Sequence, residues 1–219
     1  ALLIAERDAL PAETVERYRY LGIAHLLALS GLHLGVVLVG CNAALAAAGL
    51  PGRRRRPVAA GLSVLYGAAA GFPPSLVRAL ILGGASLAGR IAGRAPSLER
   101  SFWLGLLLAA FIVPGHLATV SFGLSLAAVA SIVYIAVPLV DSLGLRRGGA
   151  GRRLCGAFVF SAAITAGMVP VTTTLFGRVS LWAPIVTVLA VVPITLYLYI
   201  GMVYMLSLIH ISEPTRLRR

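Results

Sequence analysis

The chain contains no lysine; its 19 basic residues are all arginine. Charge of either sign is scarce, with Asp, Glu, Lys and Arg together making only 12% of 219 residues. A soluble domain carries roughly 25% charged residues, so this chain cannot cover a water-facing surface with what it has. Cysteine is almost missing as well. Cys41 and Cys155 both lie inside apolar runs, which excludes a disulfide framework and leaves them as small packing residues. No charged leader with a cleavage site precedes the first apolar run, so no secretory signal is recognisable and the sequence is expected to start inside a longer protein. The His-x-His-x-Asp-His pattern of a metal centre is missing too, and neither a metal nor a cofactor is expected.

What is present is apolar. Hydrophobic residues make up 59% of the chain, and the mean hydropathy is +0.94. These values predict an all-α fold, a polytopic transmembrane helical bundle whose solvent is mostly lipid. A spanning helix needs about 20 predominantly apolar residues. Residues 1–20 are a mixed, interfacial lead-in on the extracytoplasmic side, with a helix start at Pro11 and with Tyr18 and Tyr20 at headgroup level. About seven helices follow within 21–205: Gly22 to Gly49, Pro57 to Gly71, Pro74 to about Gly89, Ser101 to Val113, Leu117 to Val140, Leu154 to Phe176, and Leu181 to about Met205. Some are short, and short runs thin the bilayer or re-enter it.

The net charge of +12 suggests a nucleic-acid binder when taken in bulk, so position has to decide. Arg53 to Arg56 follow the first span, Arg90, Arg94 and Arg100 follow the third, and Arg146, Arg147, Arg152 and Arg153 follow the fifth. The alternate loops carry almost no arginine. By the positive-inside rule the arginine-rich loops are cytoplasmic and the protein sits in the cytoplasmic (inner) membrane. Topology thus accounts for most of the basic charge. The tail from Leu206 to Arg216 looks like a translated sequencing adapter, and residues 206–219 are expected to be non-native. The basic excess survives their removal.

Polar groups inside a spanning helix are costly and are functional hypotheses by default. The first helix holds His25, Ser30, Gly31 and His33. The two histidines are eight residues apart, a poor spacing for one metal, whereas Ser30 and His33 share a face. The run His25-Leu-Leu-Ala-Leu-Ser-Gly-Leu-His33 resembles the signature of the ComEC-type competence family of DNA-internalisation proteins. Weaker likenesses follow in order: Ala1 to Asp8, Gly71 to Ala79, Pro114 with Ser121-Phe-Gly-Leu-Ser-Leu126, and Pro170 through Ser180 with Pro184 and Pro193. Thr187 stands near a position usually occupied by asparagine, and His116 and Ser121 also depart from the family pattern.

The resemblance implies a membrane channel or permease domain that passes single-stranded DNA across the cytoplasmic membrane in natural transformation. It implies single-stranded DNA, the lipid bilayer, a further copy of the chain and other competence proteins as partners. No enzyme activity is expected, because the nuclease-like domain of larger family members is not in this sequence. A polyanion crossing a bilayer needs donors for phosphate and no deep trap. Arg78 is the arginine that lies well inside an apolar run, and it should face the bundle or snorkel outward. His25, Ser30 and His33 are candidate neutral donors on the path, and Phe122 with Ser125 is a candidate stacking and hydrogen-bonding pair for a base. Pro170 and Pro193 are candidate kinks of a pore-lining, discontinuous element. Two alternatives stand beside this reading: an intramembrane serine hydrolase using Ser30 with His25 or His33, and a small-solute transporter. The first lacks a nearby acid to orient its base, and the second lacks visible inverted symmetry between halves.

Overall fold

Proline, glycine and small hydroxyl residues set the helix boundaries in this chain. A computed structural model describes residues 12–23, 31–91, 93, 97–177 and 179–212. The first helix, α1, spans Ala12–Tyr20 and forms the lead-in, with an exposed Arg17–Glu13 ion pair along its length. The described part of the first apolar helix, α2, is Gly31–Ala47; His25 and Ser30 lie outside the described residues. Helix α3 (Gly52–Ala69) is antiparallel to α4 (Pro74–Ile91), and α5 (Leu98–Ile112) returns along α4. A 3-10 turn at Pro114–His116 leads to α6 (Val120–Ser131). A π-helical turn at Ile132–Ala136 joins α6 to α7 (Val137–Ser142) in one rod. Helices α8 (Ala150–Phe176) and α9 (Ala183–Ser212) complete the bundle. Among the described residues there is no strand, and the fold is the expected all-α helical bundle after a lead-in helix.

Each start has a local cause. Ser97 caps α5 by accepting from the Arg100 backbone N–H at 3.4 Å, with Glu99 in the positive first turn. Thr119 caps α6 in the same way, accepting from the Phe122 N–H at 3.3 Å. Pro73 and Pro74 fix the backbone ahead of α4, and the Pro73 carbonyl accepts from both Leu76 and Val77. Helix α8 stops at Gly177, whose φ of 64° is left-handed and whose N–H donates to the Thr173 carbonyl. Nothing lies within 4 Å of the position a Cβ would take there. Gly177→Ala therefore carries only the backbone penalty of the left-handed region, about 1–2 kcal/mol, and should lower the melting temperature of the detergent-solubilised protein by a few degrees.

The π-turn follows from Pro138. A proline inside a helix gives no N–H to the carbonyl four residues back and clashes with it. Widening the preceding turn, so that the Val137 N–H reaches the Ile132 carbonyl, removes that clash. Pro170 and Pro193 act otherwise. Helices α8 and α9 run through them unbroken, and both prolines are exposed on the outer surface of the bundle. The departure from α-helical winding that the structure shows is the π-turn at Ile132–Ala136. An outward-facing proline removes one hydrogen bond without forcing a break; beyond Pro170 the hydroxyls of Thr172, Thr173 and Thr174 donate back to the carbonyls of Met168, Val169 and Pro170 in their own helix.

Three rods are long and apolar enough to cross a membrane: Val120–Ser142, Ala150–Phe176 and Ala183–Gly201. Their outer faces are apolar, with Leu154, Leu189 and Ile200 each more than 60% exposed. Apolar surface on that scale marks contact with lipid, and the protein is a membrane protein. Side-chain contacts fix the directions of the neighbouring helices. Gly67 meets Leu80, Gly105 meets Leu82, Gly167 meets Ser131, and Gly156 meets Leu145. These pairs fit antiparallel packing of α3–α4, α4–α5 and α6–α8, and with Arg78–Ser121 and Phe102–Tyr134 joining α4 and α5 to the α6–α7 rod they put Arg53 to Arg56, Arg90, Arg100, Arg146, Arg147, Arg152 and Arg153 toward one end of the bundle.

Candidate functional site

Between α4, α5 and α6 three helical stripes converge, with Arg78 toward the end away from the arginine-rich turns. Helix α4 contributes Arg78 and Leu82, one turn apart. Helix α5 contributes Phe102, Gly105, Leu106 and Ala109, and α6 contributes Phe122, Ser125, Leu126 and Val129. Both sets follow the i, i+3, i+4, i+7 spacing of a single helix face. Together they line a partly open cavity of about 30 Å³.

Arg78 decides the character of this cavity. It is only 6% exposed. It does not snorkel to the helix end; the side chain crosses from α4 to α6. Its Nη2 donates to the Ser121 hydroxyl at 3.1 Å, and its guanidinium carbon lies 5.9 Å from the centroid of the Phe122 ring. That distance is at the outer edge of cation–π contact. Nε and Nη1 are buried and have no hydrogen-bond partner. No carboxylate among the described residues pairs with it: Glu13 pairs with Arg17, Asp141 with Arg146, and Glu99 accepts from Tyr134. A guanidinium remains charged at any physiological pH. Burying it with donors unsatisfied is expensive unless an anion supplies the missing partner.

The local sequence explains how the parts are held. Thr119 fixes the first turn of α6, which sets Ser121, Phe122 and Ser125 on consecutive turns facing α4. Leu76, fully buried, anchors the first turn of α4 just before Arg78. Of the sequence-derived candidates, Arg78, Phe122 and Ser125 come together in this cavity. Gly31 lies 3.7 Å from Ala79 by its would-be Cβ, so α2 passes beside the same turn of α4. His33 is fully buried in α2. His25 and Ser30 lie outside the described residues, and Pro170 and Pro193 lie on the outer surface away from the cavity.

Ser121 and Phe102 were not singled out from the sequence. Ser121 was legible in part, since it stands one turn before Ser125 and next to Phe122. Phe102 carries no polar signal and reads as core. It does join a second cluster, nearer the arginine-rich end, where its ring meets Trp103 and Tyr134 edge-on at 5.3 and 6.1 Å. Trp103 Nε1 donates to the Tyr134 hydroxyl at 2.8 Å, and that hydroxyl donates to Glu99. This network ties the start of α5 to the π-turn.

The arrangement offers a cation, a hydroxyl and aromatic faces. Among the described residues there is no cluster of metal-ligating side chains. The chemistry it can perform is recognition of an anion.

No curated protein and no solved structure matches this chain. Its sequence does match the family described as Competence protein, from residue 2 to residue 216. The match takes in nearly all of the chain, including the segment from Leu206 to Arg216 that resembles an adapter. A membrane bundle of this sequence, with its His-to-His signature and its match from end to end, belongs to the competence protein family and has a role in competence.

Proposed function

We propose that the bundle is the channel through which a single DNA strand crosses the cytoplasmic membrane. The arginine-rich end faces the cytoplasm, and Arg78 with Phe122 and Ser125 receives the strand near the outer end. The observation that carries this reading is the buried Arg78 guanidinium, with unsatisfied N–H donors beside an aromatic ring and a hydroxyl. A backbone phosphate satisfies the donors, a base stacks on Phe122, and neither contact depends on sequence. Family membership supplies the cargo, and the cavity supplies a place to bind it.

In this arrangement the space beside Arg78, about 30 Å³, does not admit a nucleotide. Opening requires α4 and α6 to separate. Among the described residues the side-chain hydrogen bond joining them is Arg78 to Ser121. A phosphate arriving at Arg78 replaces the Ser121 hydroxyl with a stronger, charge-assisted partner and thereby favours the open arrangement.

Placing the photoreactive residue p-benzoylphenylalanine at Phe122 tests this. During uptake it should capture labelled single-stranded DNA, whereas the same residue at the lipid-facing Leu189 should capture none. Equal capture at both positions, or none at 122, would remove α6 from the path.

A further inference from the structure

Outside the Arg78 cavity, an open groove lies between α8 and α9. From α8 it is lined by Gly151, Leu154, Cys155 and Phe158, which share one face of the first two turns, and from α9 by Ile185 and Leu189 among others. Its walls are almost wholly apolar, and Leu154 and Leu189 belong to the lipid-facing surface. Gly151 leaves the head of the groove open, since nothing lies within 4 Å of the position a Cβ would take there. Free cations stand at that head. Arg146 is paired with Asp141, but Arg147 and Arg152 are exposed and have no ion pair among the described residues. Arg152 follows Gly151 directly, and its side chain lies back over Gly148 in the turn before α8. A hydrocarbon trough with an unpaired guanidinium at one end matches an amphiphile that has an anionic head.

We propose that the groove between α8 and α9 binds one anionic phospholipid, with an acyl chain along Leu154, Phe158 and Leu189 and the phosphate on Arg152. The walls alone give no preference among phospholipids of equal chain length, because lipid tails are as apolar as the groove. The preference comes from the arginine, which attracts an anionic headgroup at the membrane surface. Gly151 supplies the space in which the chain passes from that headgroup into the groove. A second copy of the chain is a poor occupant. Copies inserted in one membrane share one orientation, so their basic turns would meet and repel. The inference does not depend on what the bundle carries.

The experiment uses the purified 219-residue chain in detergent, titrated with phosphatidylglycerol or with phosphatidylcholine of the same acyl chains. Phosphatidylglycerol should raise the melting temperature saturably, by about 5 °C at a large excess over Kd, and phosphatidylcholine by clearly less. Arg152→Gln should weaken phosphatidylglycerol binding about fivefold, the effect of one arginine beside the headgroups, and leave the phosphatidylcholine response unchanged. Gly151→Leu fills the head of the groove without altering charge, and should reduce the phosphatidylglycerol response to the phosphatidylcholine level. That variant keeps its fold, because the space around Gly151 is open and leucine is the better helix former. Inorganic phosphate at matched concentration should not stabilise the chain. Equal responses to the two lipids, equal stabilisation by inorganic phosphate, or an undiminished phosphatidylglycerol response in either variant would each overturn the proposal.

Discussion

Arg78→Ala should lower transformation by about 10- to 100-fold while leaving the amount of protein in the membrane unchanged. The magnitude comes from one lost charge-assisted contact, about 1.5–3 kcal/mol, at about tenfold per 1.4 kcal/mol. The unchanged abundance follows from the same burial. Removing the side chain forfeits one bond to Ser121 and some packing. It also removes a desolvated charge that no described carboxylate balances, and the two effects oppose one another. Arg78→Lys should recover part of the uptake, because an ammonium supplies the charge but not the planar array of donors. Ser121→Ala should have a smaller effect than Arg78→Ala, since it takes away only the resting partner. Transformation frequency and quantitative blotting of membranes read both quantities. Wild-type uptake in Arg78→Ala at wild-type abundance would place Arg78 outside the path.

The position of Arg78 was readable in the sequence, but its direction was not. An arginine four residues into an apolar run either reaches for the headgroups or turns inward, and local pattern cannot choose between them. The choice is made by α6, 43 residues on, whose first turn brings a hydroxyl and a ring within reach. Ser125 and Phe122 were legible because a polar residue and an aromatic recur one turn apart in an otherwise aliphatic helix. Ser121 was discounted as a departure from the family pattern, yet it is the partner that Arg78 uses.

Much of the fold was legible because helix ends follow local chemistry. Pro74 opens α4 and Phe176 closes α8 as the sequence pattern predicts. Helix α3 begins at Gly52, not at Pro57, because Pro51 precedes its first turn and arginine is a good helix former, so Arg53 to Arg56 join the helix. The close contacts between helices were less legible. Glycines recur at four-residue spacing at Gly31 and Gly35, Gly67 and Gly71, and Gly89 and Gly93, a spacing that lets helix backbones approach in lipid, but among these only Gly67 is pressed hard by a neighbouring side chain of the described residues. The tight approaches elsewhere are at single glycines such as Gly105 and Gly167, where what matters is the facing residue on another helix. Spacing along one helix carries no information about that.

Gly167 gives the largest stability effect to be expected. A Cβ there would overlap the Ser131 hydroxyl, lie 2.8 Å from Ser131 Cβ, and lie 2.9 Å from Ile135 Cδ1. Ser131 cannot swing aside freely, since its hydroxyl donates to the Ala127 carbonyl at 2.7 Å within its own helix. Ile135 belongs to the π-turn, whose wider girth brings it toward α8. Absence of a side chain at 167 is therefore what allows the turn forced by Pro138 to pack at all. Overpacking costs about 1–3 kcal/mol for an added methyl or two, a large share of a marginal stability of about 5–15 kcal/mol. Gly167→Val, with two further methyls and a branched Cβ, should leave little folded protein on size-exclusion chromatography of detergent extracts. Gly123→Val, in open space on α6, should keep most of it. The decisive comparison is a compensating pair. Gly167→Ala alone should lower the melting temperature, and Ser131→Gly with Gly167→Ala should restore much of it, because the second change vacates the volume the first one fills. Additive losses in the double variant would mean that α6 and α8 do not meet at these two residues, and the antiparallel pairing that gathers the arginine-rich turns at one end would lose one of its contacts.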